Sequence, residues 1–594
     1  MRWWLVFSIL ATLLVVVFWY SSLSKVSEET KALDSYTSVS TVLHTASYSQ
    51  PTFYEGIEQP DYVDKIPEQI HGGIVSHHLL AKEEIAKFFA EFRSQTVETV
   101  VLIAPNHFSI GDAPVISSED GFTTPYGDVA VNQDVIQKLA HKKVVAVDET
   151  PFAYEHSVGA LTPYIAYNFP GAKIVPLLLR RNTSREQLDD LLSEMQPLLP
   201  DHTIVIASVD FSHHLNRIAT EFHDVASVSA IKDFDFDRVF KLEIDSPPSI
   251  YLLLQYLDRI GAKSMKHKNM NSTDFTGNVA TNDATSYVFA HFINGDRDVE
   301  GTKATSLHFG DMMFGREIES MIERGDDPFE YIKGTEGNFM KGVDVTIGNL
   351  EGVLSTSTNC RTDKEVILKF KPSVGALLRK YNFLGVNLAN NHSNDCFESG
   401  LTDTQKVLEA NDLFYLGSEL QDGYKVITVG SESIALIGIN DVTRWEDNIE
   451  DTLSQIIKLS AENDSVVVHI HWGREYDSTP TDEQQALAHR LVDAGAQVVI
   501  GHHPHVSQSV ESYKGKIIFY SLGNFIFDQT QPSTTDGFAV GLVHDHGVTG
   551  GIIFPYEMID MKPKLLFYEE MAKYCDELLS VADRVDECGF KLSN

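Results

Sequence analysis

The stretch Val498-Val499-Ile500-Gly501-His502-His503-Pro504-His505 decides the fold. Its apolar, β-branched start reads as a short buried strand, and it ends in three imidazoles around one proline. Proline fixes the backbone between His503 and His505, so both rings can face one site. The same pattern recurs upstream. Thr305–Phe309 runs into Gly310-Asp311, and Val343–Ile347 precedes Asn349-Leu350-Glu351. Leu384–Leu388 precedes Asn390-Asn391-His392, and Val466–Val468 precedes His469-Ile470-His471-Trp472-Gly473. In sheets built this way, ligands bind at the carboxyl ends of the strands. Five strands therefore bring Asp, Glu, Asn and His side chains to one rim, and a pair of divalent metals requires such oxygen and nitrogen donors.

At 594 residues the chain exceeds what one core supports, so two large domains with appendages are expected. Hydrophobic residues at 43% with 22% charged mark a folded globular protein. The net charge of −37 argues against nucleic acid as the partner. An anionic substrate would need a local positive feature, and bound cations supply one.

Trp3 to Tyr20 is a nearly unbroken apolar stretch with Arg2 before it and aromatic residues at both ends. It reads as an uncleaved signal anchor that places the bulk of the protein outside the cell membrane. Four cysteines fit an oxidising compartment, and their grouping suggests Cys360–Cys396 and Cys575–Cys588. Strand and helix patterns alternate throughout, which implies an α/β fold. The expected divisions are an anchor at 1–22, a Ser/Thr/Glu-rich spacer at 23–65 and an α/β domain at 66–296. A second α/β domain at 303–562 and a helical tail at 563–594 follow.

The second half resembles the CapA-like poly-γ-glutamate capsule-synthesis family of the calcineurin-like metallophosphatase superfamily. The resemblance rests on Gly310-Asp311 with Arg316, Asn349-Leu350-Glu351-Gly352 and Asn390-Asn391-His392 with Asp395. It continues through His471-Trp472-Gly473-Arg474-Glu475-Tyr476, His503-Pro504-His505 and Tyr520 to Asp528. It implies a sandwich of two sheets flanked by helices, with two metals (Mn, Fe or Zn) at the strand ends. Asp311, Glu351, Asn391, His471, His503 and His505 would be the ligands, and His392 the general acid. Members of the superfamily carry Asp-x-His in the first motif, but here Met312 and Met313 follow Asp311. One metal position thus has fewer ligands. Arg316 and Arg474 are candidates to hold an anionic substrate.

The first half resembles the Memo-like family, also called AmmeMemoRadiSam system protein B, whose fold is that of LigB-type dioxygenases. The residues are His77-His78, Asn106-His107, Glu155-His156-Ser157 and Asp210-Phe211-Ser212-His213-His214. His77 and His107 match metal ligands, for one Fe, Cu or Zn. His156 and Asp210 would line the pocket for substrate, and His213 is a candidate catalytic residue. The family places a cysteine ligand late in the domain, and this domain has no cysteine. A carboxylate between Asn271 and Ser286, Asp274 or Asp283, is the expected substitute.

These features together suggest a membrane-anchored metal-dependent hydrolase of capsule or poly-γ-glutamate synthesis or export. Its partners would be an anionic polymer or phosphoester and other capsule-synthesis membrane proteins. Two alternatives are a non-catalytic polymer-binding protein and a redox enzyme acting through the first domain.

Overall fold

The computed structural model describes residues 43–60, 66–297, 302–333, 339–417, 423–443, 449–579, 583–584 and 588–592. The expected anchor at 1–22 lies outside them. Among the described residues no helix is long and apolar enough to cross a membrane.

In the first half, four parallel strands form the centre of a mixed sheet, in the order Ile70–Val75, Thr203–Ser208, Thr99–Pro105, Lys173–Leu179. They are buried almost throughout, as a sheet covered by helices on both faces requires. Antiparallel strands Ala284–Ile293 and Ser264–Asn271 extend one edge. The three strands ending at Val75, Pro105 and Ser208 run in one direction. His77, His107 and Asp210 therefore emerge at the same end of the sheet.

The second half is a sandwich of two sheets, and its core draws Leu307, Ile347 and Phe538 from one and Leu436, Val467 and Phe519 from the other. In the first sheet Ala304–Met312 pairs in parallel with Val345–Leu350, which pairs with Gly385–Asn387. In the second, Glu432–Asn440, Ser465–His471 and Val498–His502 are parallel neighbours. Helices Ile449–Glu462 and Asp482–Asp493 cover its outer face through Ile456, Leu459, Ala488 and Leu491. All five expected strands are present, and several run further than the apolar pattern shows. Asp311, Asn349, His469, His471 and His502 lie within the strands and not after them. Gly310 is dictated by packing, since a Cβ there would collide with the carbonyl oxygen of Gly523.

The two halves are welded together by buried ionic and hydrogen-bonded contacts. Arg238 Nε and Nη2 donate to the two oxygens of Asp344 at 2.9 and 3.0 Å. His223 Nε2 donates to Phe339 O at 3.0 Å, and Gly342 N donates to Lys241 O at 3.3 Å.

Two expectations about the ends change. The stretch read as a spacer is folded from His44 to Pro60: His44–Thr45 pairs with Phe122–Thr123, and Tyr54 and Ile57 belong to the core. Its apolar residues are scattered among polar ones, so no period betrays them. The tail is not only helical. Helix Tyr568–Leu578 is tied by the Cys575–Cys588 disulfide to strand Gly589–Lys591, which pairs with Val548–Ile559. The other disulfide is Cys360–Cys396, so both pairings are as expected.

Candidate metal centres

In the second half, Glu351 is the centre of the arrangement. It is fully buried, and neither carboxylate oxygen has a hydrogen-bond partner. Its Oε1 lies 3.7 Å from His505 Nε2, 3.8 Å from His471 Nε2 and 3.9 Å from His392 Nε2. A buried carboxylate without a partner is costly, and a cation among these atoms would resolve it. Glu351, His503 and His505 each offer a ligand atom to one such position.

The neighbouring groups aim these ligands. His505 Nδ1 donates to Asn524 Oδ1 at 3.0 Å and lies 3.1 Å from Asp311 Oδ2, which leaves Nε2 to face Glu351. Asp311 accepts from Asn349 Nδ2 at 2.8 Å and from His503 N at 3.2 Å. Asn349 also donates to His471 Nδ1 at 3.2 Å, and His471 Nε2 meets Asn391 Oδ1 at 2.9 Å. His503 and His505 both take left-handed backbone angles, with φ of 98° and 59°. Such angles cost a non-glycine residue on the order of 1–2 kcal/mol.

Burial, helped by the Asp311, Glu475 and Asp395 carboxylates, pushes Glu351 up to about 8. For His505, burial pulls down, but the Glu351 and Asp311 carboxylates outweigh it and raise the imidazole to about 9. His503 is lowered to about 4 by burial and by His505. His392 donates from Nδ1 to Asp395 Oδ2 at 2.7 Å, and Lys364 Nζ holds the other Asp395 oxygen at 2.7 Å.

All the sequence-predicted ligands of this half converge, with His392 beside them. The two arginines do not enter the cluster. Arg316 pairs with Asp528 through Nε at 3.0 Å and Nη2 at 2.5 Å and lies over the Phe527 ring. Arg474 is exposed, with no ion pair among the described residues. Met313 is buried, and its Sδ accepts from Gly315 N at 3.1 Å.

Behind the cluster runs a line of buried imidazoles that the sequence reading missed. Ser465 Oγ meets His544 Nδ1 at 2.8 Å, and His544 Nε2 meets Ser306 Oγ at 2.8 Å. Ser306 Oγ meets His308 Nε2 at 2.7 Å, and His308 Nδ1 meets His469 Nε2 at 3.0 Å, crossing from one sheet to the other. His469 Nδ1 meets His502 Nε2 at 3.0 Å, and His502 Nδ1 faces Asp311 Oδ1 at 3.6 Å. Burial lowers His308 and His469 well below the usual imidazole range and His544 to about 3. A neutral imidazole donates from one nitrogen and accepts at the other. The line therefore has one polarity from end to end, and at its end His502 Nδ1 faces the Asp311 carboxylate without a hydrogen bond.

In the first half, His77, His107 and His156 come together, with ring centroids 4.8 to 5.2 Å apart. Glu155 accepts from His107 Nδ1 at 2.8 Å and from its backbone N at 2.8 Å. Burial works against the charge on His107, but Asp245 and Glu155 raise it to about 10, while burial and the neighbouring imidazoles lower His156 to about 4. Asp210 accepts from Ser76 Oγ at 2.5 Å and places Oδ2 3.5 Å from His77 Nε2. His213 lines the same cavity of about 670 Å³. The expected carboxylate substitutes are elsewhere. Asp274 pairs with Arg217 at 2.8 Å and caps Asn271, and Asp283 pairs with His214 at 2.7 Å on the surface.

Two sequence families meet in this chain. Residues 305–529 match the model of the bacterial capsule synthesis protein family PGA_cap, and residues 69–287 match that of the Memo-like proteins. The chain is 34% identical over 290 residues to the capsule biosynthesis protein CapA of Bacillus anthracis, covering 45% of this chain and 70% of that protein. It is 29% identical over 169 residues to a MEMO1 family protein of Caldivirga maquilingensis, covering 28% of this chain and 57% of that protein. A novel phosphatase from Mycoplasma pneumoniae aligns over 43% of this chain and 93% of its own, at 15% identity and a TM-score of 0.28. The chain belongs to the PGA_cap capsule-synthesis family through its second half, joined to a Memo-like domain in its first.

Proposed function

We propose that this protein acts in capsule or poly-γ-glutamate synthesis or export, as a metal-dependent phosphoesterase-type enzyme anchored by residues 1–22 with its bulk outside the cell membrane. The name of its Bacillus anthracis relative supports the capsule setting. The observation that carries the metal site is Glu351, buried without a partner and faced by three imidazole nitrogens within 3.9 Å. Asp311, Glu351, Asn391, His471, His503 and His505 would hold two divalent ions (Mn, Fe or Zn). When bound, such a pair clamps a phosphoryl group and activates water. His392, fixed at Nδ1 by Asp395, keeps Nε2 toward the cluster and would hand a proton to a leaving oxygen. In the Memo-like domain His77 and His107 would hold one Fe, Cu or Zn, with His156, Asp210 and His213 around the cavity.

A second reading is favoured by Met313, whose buried thioether stands where a ligand histidine would serve the first metal position. In that reading the protein binds an anionic polymer at a partly liganded site, with the exposed Arg474 as a further anion contact, and passes it to other capsule-synthesis membrane proteins. Two measurements on the full chain test the enzyme: metal content by elemental mass spectrometry, and phosphoesterase turnover. About two equivalents lost in a His471→Ala, His505→Ala double variant, with turnover abolished and metal retained in His392→Ala, is the expected result. Unchanged metal content in the double variant would overturn the metal site. Turnover that survives His392→Ala would overturn the role of that imidazole.

A further inference from the structure

The first-half pocket contains a carboxylate that no motif points to. Asp245 lies in the loop before helix Pro247–Ile260, one residue ahead of its N-cap Ser246. The loop is pinned: Arg181 donates to Ile244 O at 2.7 Å, and Asp245 N donates to Asp210 O at 3.1 Å. Asp245 Oδ2 stands 3.5 Å from His77 Nε2 and 3.5 Å from His107 Nε2. Its side chain is 7% exposed, and Oδ1 is buried without a hydrogen-bond partner.

These spacings lie close to those of a coordination shell. Two donors about 2.1 Å from one metal, at angles of about 90–110°, lie about 3.0–3.4 Å from each other, so the 3.5 Å spacings need contract only slightly around an ion. Hydrogen bonds to nitrogen are shorter, at about 2.7–3.2 Å. The tautomers agree. Ser208 spends its only proton on Ser157 O at 2.7 Å, so it accepts from His77 Nδ1 at 3.1 Å. His107 likewise donates from Nδ1 to Glu155. Both imidazoles thus spend Nδ1 on protein acceptors and turn Nε2 toward the same carboxylate oxygen, three donor-type atoms that one cation would bridge.

We propose that Asp245 takes the place of the missing cysteine and completes a two-histidine, one-carboxylate site with His77 and His107. This rests on the reading of the Memo-like pocket as a metal site. Such a set with open positions is the arrangement that suits Fe(II), and its hard oxygen also suits Mn(II). Thiolate would have favoured softer ions. Asp210, engaged by Ser76 and paired with His77 but not with His107 among the described residues, stays at the pocket wall.

The wild type provides a spectroscopic blank, because all of its cysteines are in disulfides. The full chain and its Asp245→Cys, Asp245→Asn and His77→Ala variants are loaded with Co(II). Absorption spectra, metal equivalents and thermal unfolding are then recorded. A sulfur-to-cobalt charge-transfer band in Asp245→Cys, absent from the wild type, is expected. Asp245→Asn should weaken one equivalent at least about tenfold, since losing even an outer partner of a ligand costs 10–100-fold. If His77→Ala loses an equivalent while Asp245→Cys shows no band and Asp245→Asn binds normally, the pocket is a metal site and Asp245 is not its ligand. If His77→Ala loses nothing, the metal reading of the pocket falls and the proposal with it.

Discussion

His469 Nδ1 lies 3.0 Å from His502 Nε2, in rings only 5° from parallel, and this contact joins the buried imidazole line to Asp311. Through it the hydroxyl of Ser465, on the same strand as His469, is linked by buried side chains to the candidate metal site around Glu351. His469→Phe would leave His308 Nδ1 and His502 Nε2 buried without partners. Each should cost about 1–3 kcal/mol in denaturant unfolding. If the line also orients Asp311, divalent-metal affinity measured by titration should fall about 10–100-fold. A variant that is less stable yet binds metal normally would make the line a packing device only.

Asp224 provides the clearest test of stability against pH. It is 4% exposed, with Ser286 Oγ donating at 2.7 Å and with Glu221 and Glu243 nearby. Burial, with those two carboxylates, raises its carboxyl well above the usual range. The folded state therefore keeps a proton that the unfolded chain releases. Stability is full below the unfolded value, near 4, and declines as pH rises toward the folded one. Asp224→Asn should stabilise the protein near neutral pH and flatten that decline. Thermal melts across the acid-to-neutral range check this, and an Asn variant that melts lower near neutrality would refute it.

Tyr54 has no exposed surface and meets Tyr164 edge-on at 5.7 Å. Tyr54→Ala should cost about 3–5 kcal/mol, as large aromatic truncations do. A chain cut to begin near Ile66 should be destabilised at least as much, because Ile57 is lost as well. Chemical denaturation of both against the full chain measures it.

Arg238 holds Asp344 with two hydrogen bonds, and their side chains are 7% and 9% exposed. Arg238→Ala leaves a buried carboxylate at the junction and should cost about 3–5 kcal/mol. The same change should split one calorimetric transition into two, since this pair crosses between the halves. A single transition at an unchanged temperature would count against the weld.

The convergence of Asp311, Glu351, Asn391 and the histidines on one rim was legible in the sequence because its signals are local. An apolar β-branched run followed by a polar motif marks a strand end, and parallel strands place their ends together without further information. The imidazole line was not legible, because His308 and His544 each look like an isolated residue in a strand and His469 reads only as part of the His471 motif. Their contact depends on how two sheets face each other. Asp245 escaped for a related reason: Ser246-Pro247-Pro248 reads as a helix start, and nothing in it announces a residue aimed at His77 and His107. The folded stretch from His44 hid behind polar composition.

The turn that carries His503 and His505 has a further consequence. Both residues sit at backbone angles, φ of 98° and 59°, where glycine would rest at lower energy. A sequence optimised only for durability would put glycine there and be firmer for it. This turn is shaped for what its side chains reach, and the surrounding fold carries the deficit.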